Sequence, residues 1–261
     1  MRVAPTRMPS IILDVMRSVL LSCNSIVKEP PPIIALKGLD ATALEIELLF
    51  RVSSPAQRTP ARNEVLDLVY RHCKSAGLLL AMPPASAVAM LDLPTEETAE
   101  PARVTPLELI EAIPIFASLT GNEKRALAQA TSVGEFRKGE VIVRQGELLR
   151  ALMMVRAGVI VMRHEEEEFG RLAPGDFFGE TGLLAGVGEA YTLEALTRLT
   201  VYEIDQQAFA PLLMNRPARA EDLALSLSRR VQQAQAGAAR SPQQERSVRA
   251  FLKAIQTIFH R

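Results

Sequence analysis

The chain has 261 residues, with 48% apolar and 23% charged side chains, and 30 basic residues against 30 acidic ones. This length suits one or two domains, and this apolar share excludes an intrinsically disordered chain. The balanced charge excludes a globally basic nucleic-acid binder; two cysteines without a CxxC exclude a disulfide framework and a cysteine zinc site, and three scattered histidines exclude a histidine-rich metal site.

Residues 1–84 alternate helix and strand. Ile11, Ile12, Val15, Met16, Val19 and Leu20 form a helical apolar stripe, with Ser10 placed to cap its start. The prolines at 30, 31 and 32 end that helical region. Ile33 to Leu36 reads as a strand. Leu44, Ile46, Leu48, Phe50 and Val52 then alternate with Glu45, Glu47 and Arg51, a strand with one wet face. Thr59-Pro60 opens a second helix and Gly77 closes it, with Val65, Leu68, Val69 and Cys73 on its buried stripe. Leu78 to Met82 is a last short strand. Helix, strand, strand, helix, strand is a partial ferredoxin-like α/β subdomain whose first strand is missing or reduced to Arg2-Val3-Ala4.

Within it, the order of Asp14-Val15-Met16, Lys28-Glu29-Pro30-Pro31-Pro32, Leu49-Phe50-Arg51-Val52, Ala61-Arg62, Ala76-Gly77 and Met82-Pro83-Pro84 resembles the C-terminal cytoplasmic α/β region of small-conductance mechanosensitive channels. The resemblance implies a ring of identical subunits below an ion pore, with membrane helices and a β-domain upstream. Met1 would then fall inside the first strand, which suggests a fragment or an alternative start, because a half-deleted strand leaves an unpaired edge.

Residues 85–106 read as a linker, with Pro94, Pro101, Pro106 and an acidic stretch from Thr95 to Glu100. The longest uncharged run, Ser75 to Leu91, is broken by Pro83-Pro84 and falls short of the roughly 20 apolar residues of a membrane span. With no signal peptide in the opening residues either, the chain as written reads as cytoplasmic.

Residues 107–236 form the second unit. Of 14 glycines, 11 fall between Gly121 and Gly188, which implies many tight turns and short strands. Thr105-Pro106-Leu107-Glu108 and Thr120-Gly121-Asn122-Glu123 both fit the capping box. Strands are expected over 133–137, 141–144, 152–156, 159–163, 169–172, 191–195 and 200–204, a jelly-roll-like β-roll with flanking helices. Helices follow from Gln206 and from Pro217. The whole is an α+β chain.

Residues 175–195, from Gly175-Asp176-Phe177-Phe178-Gly179-Glu180 onward, resemble the phosphate-binding cassette of cyclic-nucleotide-binding domains, and Phe136-Arg137-Lys138-Gly139 and Arg156-Ala157-Gly158 are similar to that family too. The resemblance implies a ligand site built from Phe178, Gly179, Glu180, Thr181, Leu183, Leu184, Glu189, Ala190 and Tyr191. In such a cassette the helix starting near Gly179 offers unpaired N–H groups to a phosphate. Glu180 is placed to accept from a ribose hydroxyl, or is a first-turn acid that satisfies local amides. Leu183 and Leu184 pin the helix to the roll.

The family's phosphate-clamping arginine lies nine residues after that glutamate. Here the position is Glu189, and Ala190 after it has no hydroxyl. Losing a charge-assisted hydrogen bond costs about 1.5–3 kcal/mol, and an added like charge costs about 1 kcal/mol more. Binding of cyclic AMP or cyclic GMP is therefore expected to be weak or lost unless another cation, such as Arg171, compensates. Glu189 either closes a salt bridge across the pocket or is a solvated loop residue. Glu165 to Glu168 reads as a solvated hairpin tip rather than a cation site, with His164 at the surface beside it. His72 and Cys73 read as packing or surface residues rather than a catalytic pair. No nucleophile triad, Walker loop or HExxH appears, so no enzyme and no cofactor is expected.

Residues 237–261 include an amphipathic helix, with Val248, Phe251, Leu252, Ile255, Ile258 and Phe259 on one face; from Arg216 to the end, nine basic residues face three acidic ones. It packs on its own domain, pairs in an oligomer, or docks on an anionic membrane. The leading expectation is the cytoplasmic regulatory end of a mechanosensitive channel, a homo-oligomeric ring without nucleic-acid partners that meets a membrane only through upstream helices or this tail. The alternatives are a soluble scaffold with a degenerate ligand domain, or a cyclic-AMP-receptor-like regulator lacking an evident DNA-binding domain.

Overall fold

A computed structural model describes residues 1–81, 104–117, 119–186 and 188–209. Met82 to Pro84, most of the expected linker, the helix from Pro217 and the amphipathic tail lie outside the described residues.

The first unit runs β1 (Arg2–Val3), α1 (Pro9–Ser22), β2 (Ile33–Leu39), β3 (Leu44–Leu49) and α2 (Arg58–Ala76). Its sheet order is β1-β3-β2, antiparallel throughout, and Val3 also bridges to Leu80. That is a ferredoxin-like order with very short outer pieces. The stub of a first strand thus lies inside the sheet, paired on both sides, rather than along an open edge. Among the described residues, the strand expected over 78–82 shows only the bridge at Leu80, because a two-residue neighbour offers almost no ladder. Helix α1 begins at Pro9, with Met8 as a cap that makes no side-chain bond. Ser10 is therefore inside the first turn and does not cap it; Pro9, whose ring pre-sets a helical φ, starts the helix.

Ile12, Met16, Val19 and Leu20 of α1 pack with Val65, Leu68, Val69 and Cys73 of α2 and with Val3, Leu44 and Ile46 of the sheet. Ile11, expected on the stripe, stays exposed. The last carbonyls of α1 are orphans, and Lys28 Nζ donates to those of Leu20 (2.8 Å), Leu21 (3.3 Å) and Cys23. Burial, then the charge of Arg171, lowers the Lys28 pKa to about 8. His72 is buried: its Nε2 lies 3.0 Å from Ser22 Oγ, whose own hydrogen goes to the Val19 carbonyl. His72 Nε2–H is thus the donor, and burial and the neighbouring Arg71 lower its pKa to about 3. It is a packing residue, not a surface one.

The second unit opens with α3 (Pro106–Ala112) and α4 (Gly121–Gln129), each started by the expected capping box. The roll follows as two four-stranded antiparallel sheets. One is ordered β5 (Val141–Val143), β10 (Thr192–Ala195), β7 (Ile160–His164), β8 (Glu167–Leu172). The other is β4 (Ser132–Phe136), β11 (Leu199–Asp205), β6 (Ala151–Ala157), β9 (Phe177–Phe178). A short helix α5 (Glu180–Ala185) follows β9. Strand β9 feeds this helix, as the cassette resemblance implies, although two residues carry no period of their own.

Two clusters fill the roll. Val143, Val155, Ile160, Leu193 and Val201 lie between the sheets. Leu152, Met154, Phe177, Leu183, Tyr202 and Ile204 pack outward under α3 and α4. Val104 belongs to this second cluster, and its carbonyl accepts from the Tyr202 hydroxyl at 2.8 Å. Asp205 accepts from the Ala208 amide at 2.9 Å, starting the helical turn that brings Phe209 against Phe116.

Candidate ligand cassette

The cassette is set by backbone contacts. Phe177 and Phe178 are buried and pair with Met154 and Met153 of β6. The chain must then turn sharply into α5. Gly179 does this at φ +88°, and a Cβ there would strike the Ala151 carbonyl oxygen. One turn later, a Cβ on Gly182 would strike the carbonyl oxygen of Leu149. So α5 lies directly on the backbone leading into β6. Leu183 anchors it in the outer roll cluster, while the side chain of Leu184 lies outside the described residues.

Glu180 is the first residue of α5, half-buried and engaged with a neighbour. Glu189 is clipped in place by its main chain: its carbonyl accepts from the Gly146 amide at 2.8 Å, and its amide donates to the Glu147 carbonyl at 2.9 Å. Its carboxyl faces the start of α5, where the Thr181 hydroxyl stands 3.5 Å away. Burial, and then the negative charge of Glu180, raise the Glu189 pKa to about 7, against a small opposing pull from Thr181. Glu189 holds its proton to a higher pH than an ordinary glutamate. It is therefore neither a solvated loop residue nor, among the described residues, a member of an ion pair.

Arg171 does not compensate. Its guanidinium forks the Glu168 carboxylate at 2.7 and 3.0 Å and donates to the Leu21 carbonyl of α1. It faces the α/β unit. Ala190 is exposed. Tyr191 turns to the β7–β8 hairpin, stacked on Phe169 (centroids 4.5 Å apart) with His164 edge-on at 6.2 Å, and burial raises its phenol pKa. His164 and Glu165 to Glu167 are exposed, as read from the sequence, while Glu168 is the acid that pairs with Arg171. Among the described residues no group of three His, Cys, Asp or Glu converges to hold a metal. Burial raises the Cys73 thiol to about 11, which removes it as a nucleophile at neutral pH.

Sequence reading missed a second set of residues, those that join the two units. Arg71 of α2 donates to the carbonyls of Pro174 and Ala173 (3.3 Å to the latter) and pairs with Asp176 at 2.8 Å. Ser75 Oγ donates to the Arg156 carbonyl of β6. Asn24 accepts from the Arg171 amide at 3.0 Å. These contacts join residues 81 to 147 positions apart, and no local pattern announces them.

The model of the cyclic nucleotide-binding domain family matches residues 133–216. Among similar proteins, the HTH-type transcriptional regulator Cmr of Mycobacterium tuberculosis is 34% identical over 123 residues, 46% of this chain and 50% of that one. The cAMP-dependent protein kinase regulatory subunit of Schizosaccharomyces pombe is 29% identical over 108 residues, 41% of this chain and 26% of that one. A protein of Rhodopseudomonas palustris, named as a candidate potassium channel, is 26% identical over 118 residues, 44% of this chain and 29% of that one. The chain thus spans between a quarter and a half of these relatives. It carries a cyclic nucleotide-binding domain in its second unit, with the antiparallel roll and flanking helices of that fold.

Proposed function

We propose that this cyclic nucleotide-binding domain is the regulatory module of a channel-type protein, appended to an α/β unit that is the cytoplasmic end of a mechanosensitive channel ring, and that its affinity for cyclic nucleotides is weak or lost. The observation that carries the second half is Glu189. A half-buried carboxyl faces Glu180 and Thr181 at the position of the family's phosphate-clamping arginine. A cyclic phosphate loses a charge-assisted fork there and gains a repulsion, together about a hundredfold in affinity.

The channel setting rests on the sequence resemblance of residues 1–84, on the ferredoxin-like sheet order, and on the channel name of one relative. Among the described residues no helix is long and apolar enough to cross a membrane, so any pore would lie in other segments. The module acts by differential affinity for the states of the ring, and it is not catalytic.

Two measurements test the proposal. Sedimentation of the purified chain should give a defined ring of identical copies; a monomer at all concentrations overturns the channel setting and leaves the second reading, a soluble interaction module. Calorimetric titration with cyclic AMP and cyclic GMP should give dissociation constants weaker than about 100 μM. Micromolar binding overturns the weakened cassette.

A further inference from the structure

The turn Ala173-Pro174-Gly175-Asp176 leads straight into β9, Gly179 and α5. It is stitched to the roll by the Val155 carbonyl, which accepts from the Gly175 amide at 2.8 Å, and by the Val155 amide, which donates to the Asp176 carbonyl at 2.8 Å. The same turn is held from the other side by the α/β unit. Ala173 is buried in that unit's core, with Val65, Leu68 and Cys73. The Arg71 guanidinium reaches the Ala173 and Pro174 carbonyls and the Asp176 carboxylate. Asp176 in turn accepts from the Ala173 amide at 2.8 Å, so a single side chain of α2 closes a ring of bonds around the turn. A second seam, Arg171 to the Leu21 carbonyl and Asn24 to the Arg171 main chain, fixes the preceding strand to the end of α1.

We propose that Arg71 is a positioning residue for the cassette: it makes the setting of β9 and α5 depend on the docked α/β unit, which is where the state of the cassette is read. No part of Arg71 belongs to the ligand site. It acts through four residues of main chain, and the coupling is reciprocal, because whatever resets the turn also changes how α2 sits on it. The positioning stands on the contacts alone. The readout rests on the proposed ligand role of the cassette.

Hydrogen exchange on the whole chain tests the positioning without any ligand. Arg71→Ala should speed exchange at the Gly175 and Asp176 amides and at the first amides of α5 by about tenfold or more, and leave Val201 and Tyr202 of β11 unchanged. Arg71→Lys, which keeps the Asp176 pair but lacks the planar fork, should fall between. Asp176→Asn, a milder change that leaves an acceptor for the Ala173 amide, covers the case in which Arg71→Ala fails to fold. Unchanged exchange over 173–183 in the folded variants overturns the proposal. The readout is tested in the Glu189→Arg background. Saturating cyclic AMP should slow exchange over the end of α2, from Leu68 to Lys74, and adding Arg71→Ala should abolish that slowing. Cyclic AMP that binds without any change in α2 overturns the readout. Failure of Glu189→Arg to bind contradicts the cassette reading instead, while the ligand-free arm still decides the positioning.

Discussion

The two ends of the cassette are built on different terms. From Phe177 to Leu183, space decides: two buried phenylalanines, two glycines pressed against carbonyl oxygens, and a leucine in the core. From Gly188 to Tyr191, chemistry decides: the main chain of Glu189 is clipped to the turn at Gly146 and Glu147, but its carboxyl fills a place that suits a cation-bearing clamp. A roll of the right shape therefore says nothing about affinity for its ligand. Packing holds the first end whatever occupies the second.

Substitutions should separate the two ends. The largest effect is expected at Gly182→Val, where the new side chain meets the Leu149 main chain; stability measured by denaturant should fall by about 3–4 kcal/mol. Leu183→Ala leaves a hole in the outer roll cluster and should cost about 2–3 kcal/mol by the same assay. Neither substitution changes the charge facing a ligand.

In the α/β unit, His72 gives a pH-dependent contrast, buried on α2 next to Arg71 and bonded to Ser22 rather than to the cassette. Its folded pKa of about 3 lies below the unfolded value, so the unfolded state takes up a proton first as pH falls. Stability is full above about pH 7 and should be about 2 kcal/mol lower at pH 5. His72→Gln should remove that portion of the slope, read as the difference between the two pH profiles.

At Glu189 the sign reverses. Glu189 is raised to about 7, so the folded state keeps a proton that the unfolded state has lost. Its contribution is favourable at low pH and is lost as pH rises through 7. Glu189→Gln should therefore stabilise the chain at pH 8 by about 1 kcal/mol, after allowance for partial solvent screening, and by nothing measurable at pH 5.

Much of the roll was legible because its signals are local. Glycine-marked turns, alternating apolar residues and two Thr-x-x-Glu boxes each specify their own few residues, and the structure forms them within a residue or two. The sharp turn at Gly179 and the short helix after it follow the resemblance, while the ligand role of Glu180 and Glu189 stays a proposal. What escaped was long-range. The reach of Arg171 to Leu21 rather than into the cassette, the Ser22–His72 pair and the grip of Arg71 on the 173–176 turn depend on how two units meet, and no periodicity encodes that. The misplaced cap at Ser10 had a different cause: Met8 is a poor cap, and Pro9 outweighed it as a helix starter.

The central claim is that one carboxyl separates this cassette from an effective cyclic-nucleotide site. Its most direct test is the ratio of cyclic AMP affinities of Glu189→Arg and wild type, measured calorimetrically at pH 7.5. A gain of about a hundredfold or more is predicted. A ratio near one, whether both bind or neither does, would contradict it.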